Sequence, residues 1–102
     1  MNKTLYECYY VVGWDHMHSC YKMIVDRETD QMYYGVVLNS RFAVRKGDLN
    51  SVFKMKDRTY GTVYRVQVDG VNNEDAAKQK AKEIIYYHML YFILKFKNNK
   101  EC

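Results

Sequence analysis

The amino-acid sequence predicts an α+β domain: an antiparallel sheet of four to five strands with one long C-terminal helix packed on one face. Three observations carry that prediction. Residues before position 70 alternate apolar and polar with a period of two, the signature of half-buried strands. Short polar clusters punctuate the alternation as turns do. After Asn72 the pattern changes to helical spacing and holds it to about Phe96. With 102 residues, 48% of them apolar and 27% charged, the chain has room for one domain with its own core.

In chain order, Leu5 to Trp14 is the first strand. Tyr6, Cys8, Tyr10, Val12 and Trp14 form its more apolar face, which is expected to meet the core. Gly13 to Ser19 breaks the pattern and holds a turn. Cys20–Arg27 and Met32–Leu38 are strands two and three, joined by the polar hairpin loop from Asp26 to Gln31. Asn39-Ser40 marks a turn, and Arg41–Arg45 is a short strand with Phe42 and Val44 inward. Lys46–Asn50 is a loop, and Ser51–Lys56 is too short to type. Thr59–Asp69 is the clearest strand, with Tyr60, Thr62, Tyr64, Val66 and Val68 on its apolar face.

Asn72 or Asn73 can cap the helix, and Glu74 and Asp75 suit the positive end of its dipole. Ala77, Ala81, Ile84, Ile85, His88 and Phe92 share one face, opposite Lys78, Gln79, Lys82 and Glu83. From Tyr86 the helix is apolar nearly all round, as expected of a contact surface or an element covered on two sides. A strand at 91–97 is an alternative for the end of the chain, although no turn signal separates it from the helix.

Composition narrows the functional classes. The net charge of +4 is mild, enough to favour anionic partners without requiring nucleic acid. Cys8, Cys20 and Cys102 are odd in number and unpaired in spacing, which points to a reducing compartment. The first residues lack a signal peptide's apolar run, and no apolar stretch is long enough to span a bilayer. A cytoplasmic protein without membrane contact is the expectation. Eleven Tyr and no Pro are unusual. Phe, Tyr, Met, Ile, Asn and Lys, all with AT-rich codons, make up 43 residues, which points to an AT-rich genome such as many phages and low-GC bacteria have.

The most chemical stretch is Asp15-His16-Met17-His18-Ser19-Cys20. If it is extended, His16, His18 and Cys20 project to one side and could begin a zinc site. The polar-loop reading assigns no metal there. Asp15-His16-Met17-His18 also resembles the His-hydrophobic-His signature of single-strand DNA nicking enzymes and small tyrosine transposases. In that family both His bind a divalent metal and a helix Tyr attacks the DNA backbone. The resemblance would give His16 and His18 the metal, and one of Tyr86, Tyr87 and Tyr91 the attack. No glycine-rich phosphate loop or nucleophile elbow is present, and no cofactor is implied.

The first alternative, ahead of the nicking-enzyme reading, is nucleic-acid binding through Arg41, Arg45, Lys46, Lys54, Lys56, Arg58, Arg65, Lys78 and Lys82, with Tyr33, Tyr60 and Tyr64 available for stacking. The leading expectation is a non-enzymatic protein that binds a protein partner, or a second copy of itself as a homodimer. Tyr33, Tyr86, Tyr87 and Tyr91 would be anchors, with Arg41 and Arg45 as rim charges. Size, composition and missing catalytic motifs fit a phage or mobile-element accessory protein, for example an anti-CRISPR-like inhibitor of a host defence complex.

Overall fold

In a computed structural model, the described backbone covers residues 3–100 and the described side chains residues 3–91. Six strands precede one helix: β1 (Lys3–Val11), β2 (Ser19–Glu28), β3 (Met32–Val37), β4 (Ser40–Arg45), β5 (Val52–Asp57), β6 (Gly61–Val68) and α1 (Glu74–Lys100). The α+β class and the helix agree with the sequence reading. The strand number exceeds four to five because Ser51–Lys56, untyped from sequence, is the edge strand β5. The helix continues to Lys100, so no strand forms at 91–97. Phe92, placed on the helix's core face by its spacing, lies outside the described side chains.

All pairings are antiparallel, and the strand order is β4-β3-β2-β1-β6-β5. Every strand therefore neighbours its sequence neighbours, except β4 and β5, which form the two edges. A flat six-stranded sheet would hold those edges about 24 Å apart. The connection from Arg45 to Val52 could span that only if fully extended, at roughly 3.4 Å per residue. It is not extended: Lys46–Asp48 is a 3₁₀ turn and Asn50 has φ 63°. The sheet accordingly curls into an open barrel, with the gap between β4 and β5.

The curl explains why β1 is buried on both faces, where the sequence predicts one core face. Tyr6 and Cys8 point outward to α1, packing with Val66, Val68, Ala77, Ala81 and Ile85. Ala77 and Ala81 are fully buried, and their small side chains let the helix approach the sheet closely. Leu5 points inward to Met23, Val25, Tyr33 and Val44. Leu49 joins this inner cluster from the β4–β5 connection, while Asn50 N–H donates to the Gln67 carbonyl at 2.7 Å. That connection closes the barrel floor.

The curl has a local cause at β2 and β3. The ladder shifts register between Val25 and Arg27, a bulge of the kind that bends strands. Opposite it sits Gly35, where an added Cβ would lie 1.9 Å from the Ile24 carbonyl oxygen. Only glycine lets the strands approach this closely.

The helix starts at the floor. Asn73, of the two asparagines, supplies its cap: Oδ1 accepts from Ala76 N–H at 2.8 Å. Lys80 Nζ donates to the Asp69 carbonyl at 2.5 Å and lies 3.5 Å from its carboxylate, tying the first turns to the end of β6. At 1.5 Å per residue the helix is about 40 Å long, longer than any strand, and it still packs on the sheet at Ile85, His88 and Met89. Among the described residues no helix is long and apolar enough to cross a membrane.

Candidate functional site

The open end of the barrel is a cleft of about 430 Å³. Its inner wall comes from alternate residues of adjacent strands: Glu7, Tyr9 and Val11 of β1, Ser19 and Tyr21 of β2, Val37 of β3, Met55 and Asp57 of β5 and Val63 of β6. His18, Leu38, Ser40 and Tyr60 complete the rim. The period-two alternation that builds a barrel puts all these residues on one side.

Polar groups stand deep in that wall. Glu7 is 8% exposed, and its Oε1 accepts from the Tyr9 hydroxyl at 2.6 Å. Burial, then the hydrogen bond to Glu7, pushes the Tyr9 phenol above its ordinary value. Arg65 Nε lies 3.9 Å from the same oxygen, an ion pair beyond hydrogen-bond distance, and is buried without a hydrogen-bond partner among the described residues. The Arg65 guanidinium is 5.1 Å from the Phe53 ring centroid.

Aromatic rings frame the mouth. Tyr9 and Tyr21 meet edge to face at 6.0 Å, and His18 and Tyr60 at 4.7 Å. Trp14 contacts His16, His18 and Tyr60 at 5.0, 5.4 and 5.7 Å. Leu38 and Asn39 both have positive φ, 48° and 65°, as a two-residue hairpin turn requires. Leu38 is nevertheless 66% exposed at the rim. An apolar side chain in the left-handed region bears two costs there, backbone and solvation.

The sequence-predicted residues divide among four places. Tyr33 is 6% exposed in the inner cluster, and its hydroxyl accepts from Lys3 Nζ at 2.8 Å. That burial removes it from any contact surface: the inward face of β3 is core because the sheet curls. Arg41 and Arg45 lie exposed on the outer face of β4, and Arg41 grips Asp26 through two hydrogen bonds of 2.6 and 3.1 Å. Tyr86, Tyr87 and Tyr91 are 62%, 68% and 62% exposed on α1, next to Leu90 at 36%. At 100° per residue these four share one side of the helix, away from the line of Ala77, Ala81 and Ile85.

His16, His18 and Cys20 do not converge. Asp15 to His18 is irregular rather than extended, and the two imidazoles flank Trp14. His16 faces a 160 Å³ hollow that it shares with Tyr86 and Lys82, while His18 faces the cleft. Cys20 sits opposite Cys8, with the sulfurs 2.8 Å apart. The shared hydrogen bond lowers the Cys20 thiol pKa below its ordinary value and, with burial, raises that of Cys8. Among the described residues no three His, Cys, Asp or Glu side chains are placed to hold a metal ion.

The cleft itself escapes sequence reading, since Tyr9 and Arg65, partners across β1 and β6, are 56 residues apart in sequence. The available signal is that the inward positions of β1 and β6 include the ionisable residues Lys3, Glu7, Tyr9 and Arg65. No protein-family model matches the chain, and no curated protein or solved structure matches it.

Proposed function

We propose that this chain is a cytoplasmic, non-enzymatic binding protein that contacts a protein partner through the second half of α1. The observation that carries the reading is the exposure of Tyr86, Tyr87, Leu90 and Tyr91 together on the side of the helix turned away from the sheet. Scattered exposed apolar residues are ordinary, but three tyrosines and a leucine contiguous on one helix face resemble interface anchors. A helix with such a face suits insertion into a groove of a larger partner. An inhibitor of a host defence complex, carried by a phage or mobile element, is the setting we propose for it.

Nucleic acid is the less supported partner, because Arg41 and Lys46 are engaged within the chain by Asp26 and Glu28. The test compares partner capture by the native protein with capture by the Tyr87→Ser/Tyr91→Ser variant, each after nuclease treatment. The proposal expects a discrete protein that survives nuclease, is lost with the variant and leaves the circular dichroism of the chain unchanged. Retention of binding by a folded variant overturns it. Light scattering separates a second copy of this chain from a different protein.

A further inference from the structure

We infer that the cleft at the barrel mouth is a binding site for a small organic cation, a function separate from the helix surface. Its volume of about 430 Å³ falls within the range of small-molecule sites. Val37 belongs both to the lining and to the inner cluster, and the space opens to solvent at the mouth, so it is a half-open cleft.

The lining selects the charge. It contains two carboxylates, Glu7 and Asp57, and neither lysine nor arginine, in a chain whose net charge is +4. Arg65, on the same inward face, lies 3.9 Å from Glu7 Oε1 and 5.1 Å from the Phe53 ring centroid, so it offsets the Glu7 charge and leaves Asp57 as the lining carboxylate with no ion pair among the described contacts. Glu7 Oε1 is taken by Tyr9, and no described contact engages Oε2. Asp57 Oδ1 accepts from the Thr59 and Tyr60 N–H groups, which holds the carboxylate at the entrance. Glu7, shared with Tyr9 and Arg65, and the positioned Asp57 at the lip place carboxylate oxygens at two depths of the cleft.

The walls select the shape. Tyr9, Tyr21 and Tyr60 line the space, and a cation is attracted to the negative face of an aromatic ring. Leu38, exposed and backbone-strained at the rim, supplies apolar surface for the ligand's uncharged part. An ammonium on a short aromatic or aliphatic frame matches all three features.

The experiment uses three probes with one frame: tyramine, its carboxylate counterpart 3-(4-hydroxyphenyl)propionate, and neutral 4-ethylphenol. Each is titrated into the isotope-labelled full chain and followed by the backbone amide shifts of Glu7, Tyr9, Ser19 and Val63. The inference expects saturable tyramine binding, about tenfold tighter than either counterpart. Glu7→Gln is expected to remove that preference while leaving 4-ethylphenol binding unchanged. Should Glu7→Gln fail to fold, Tyr60→Leu on the exposed rim is expected to weaken tyramine binding about threefold. Equal or tighter binding of the carboxylate, equal binding of the neutral probe, or no saturable shift with any of the three overturns the assignment.

Discussion

Replacing Gly35 with alanine tests the curl of the sheet at its tightest point. The new Cβ would lie 1.9 Å from the Ile24 carbonyl oxygen, 2.8 Å from its carbon and 2.9 Å from Phe42 Cζ. A carbon–oxygen contact needs about 3.3 Å, so β2 and β3 must part locally by about 1.4 Å. That movement breaks the ladder hydrogen bonds beside the bulge, at about 1 kcal/mol each. Displacing Phe42 adds an overpacking cost of about 1–3 kcal/mol. The expected loss is about 3 kcal/mol, set against a gain of roughly 0.5 kcal/mol from restricting the unfolded chain. In urea unfolding, with a slope of about 1–3 kcal/mol/M for a small domain, the midpoint should fall by at least about 1 M. Gly47→Ala is the control, since nothing lies within 4 Å of its added Cβ, and it should leave the midpoint unchanged or slightly raised. A G35A midpoint equal to or above that of the native protein would refute the close approach of β2 and β3.

Leu38→Gly should raise stability by about 1 kcal/mol, because it relieves a left-handed leucine with φ 48°; a lower thermal midpoint would show that the leucine supports the fold. Iodoacetamide should label Cys20 before Cys8, because Cys8 is fully buried and the hydrogen bond between them favours the Cys20 thiolate; peptide mass spectrometry showing Cys8 labelled first would contradict this. Burial alone would raise the Asp69 carboxyl, but the Asn50 hydrogen bond and the Lys80 charge hold it below the usual carboxylate range. A folded-state value below the unfolded one stabilises fully above the unfolded value and is lost as pH falls through the folded one. Unfolding midpoints should therefore fall on acidification below about pH 4, and less steeply in Asp69→Asn; parallel curves for the two proteins would refute the linkage.

The elements legible in sequence are those whose burial is one-sided. α1 shows its cap, acidic first turn and Ala-Ile stripe because one face packs and the other meets water. The outward face of β6 is equally plain, since Tyr64, Val66 and Val68 all meet the helix side. β5 is obscured because its outward residues at the sheet edge include Lys54 and Lys56, and its inward side holds only Phe53, Met55 and Asp57. Tyr33 misleads for a related reason: alternation assigns it a face, but only the closure of the sheet makes that face interior. Glu7, Tyr9 and Arg65 meet through the β1–β6 pairing, a long-range contact that leaves no local pattern. Tyr86, Tyr87 and Tyr91 are legible as a surface because helical spacing turns them away from the Ala77, Ala81 and Ile85 line that packs on the sheet.

The helix surface is tested most directly by placing a photo-crosslinking phenylalanine analogue at position 87 and, as a control, at position 54 on the exposed outer side of β5. Irradiation in the native cellular setting should join position 87 to one discrete protein, a different chain or a second copy, and adding Tyr86→Ser and Tyr91→Ser should abolish the adduct. No adduct at position 87, or the same adduct from position 54, would contradict contact through the second half of α1.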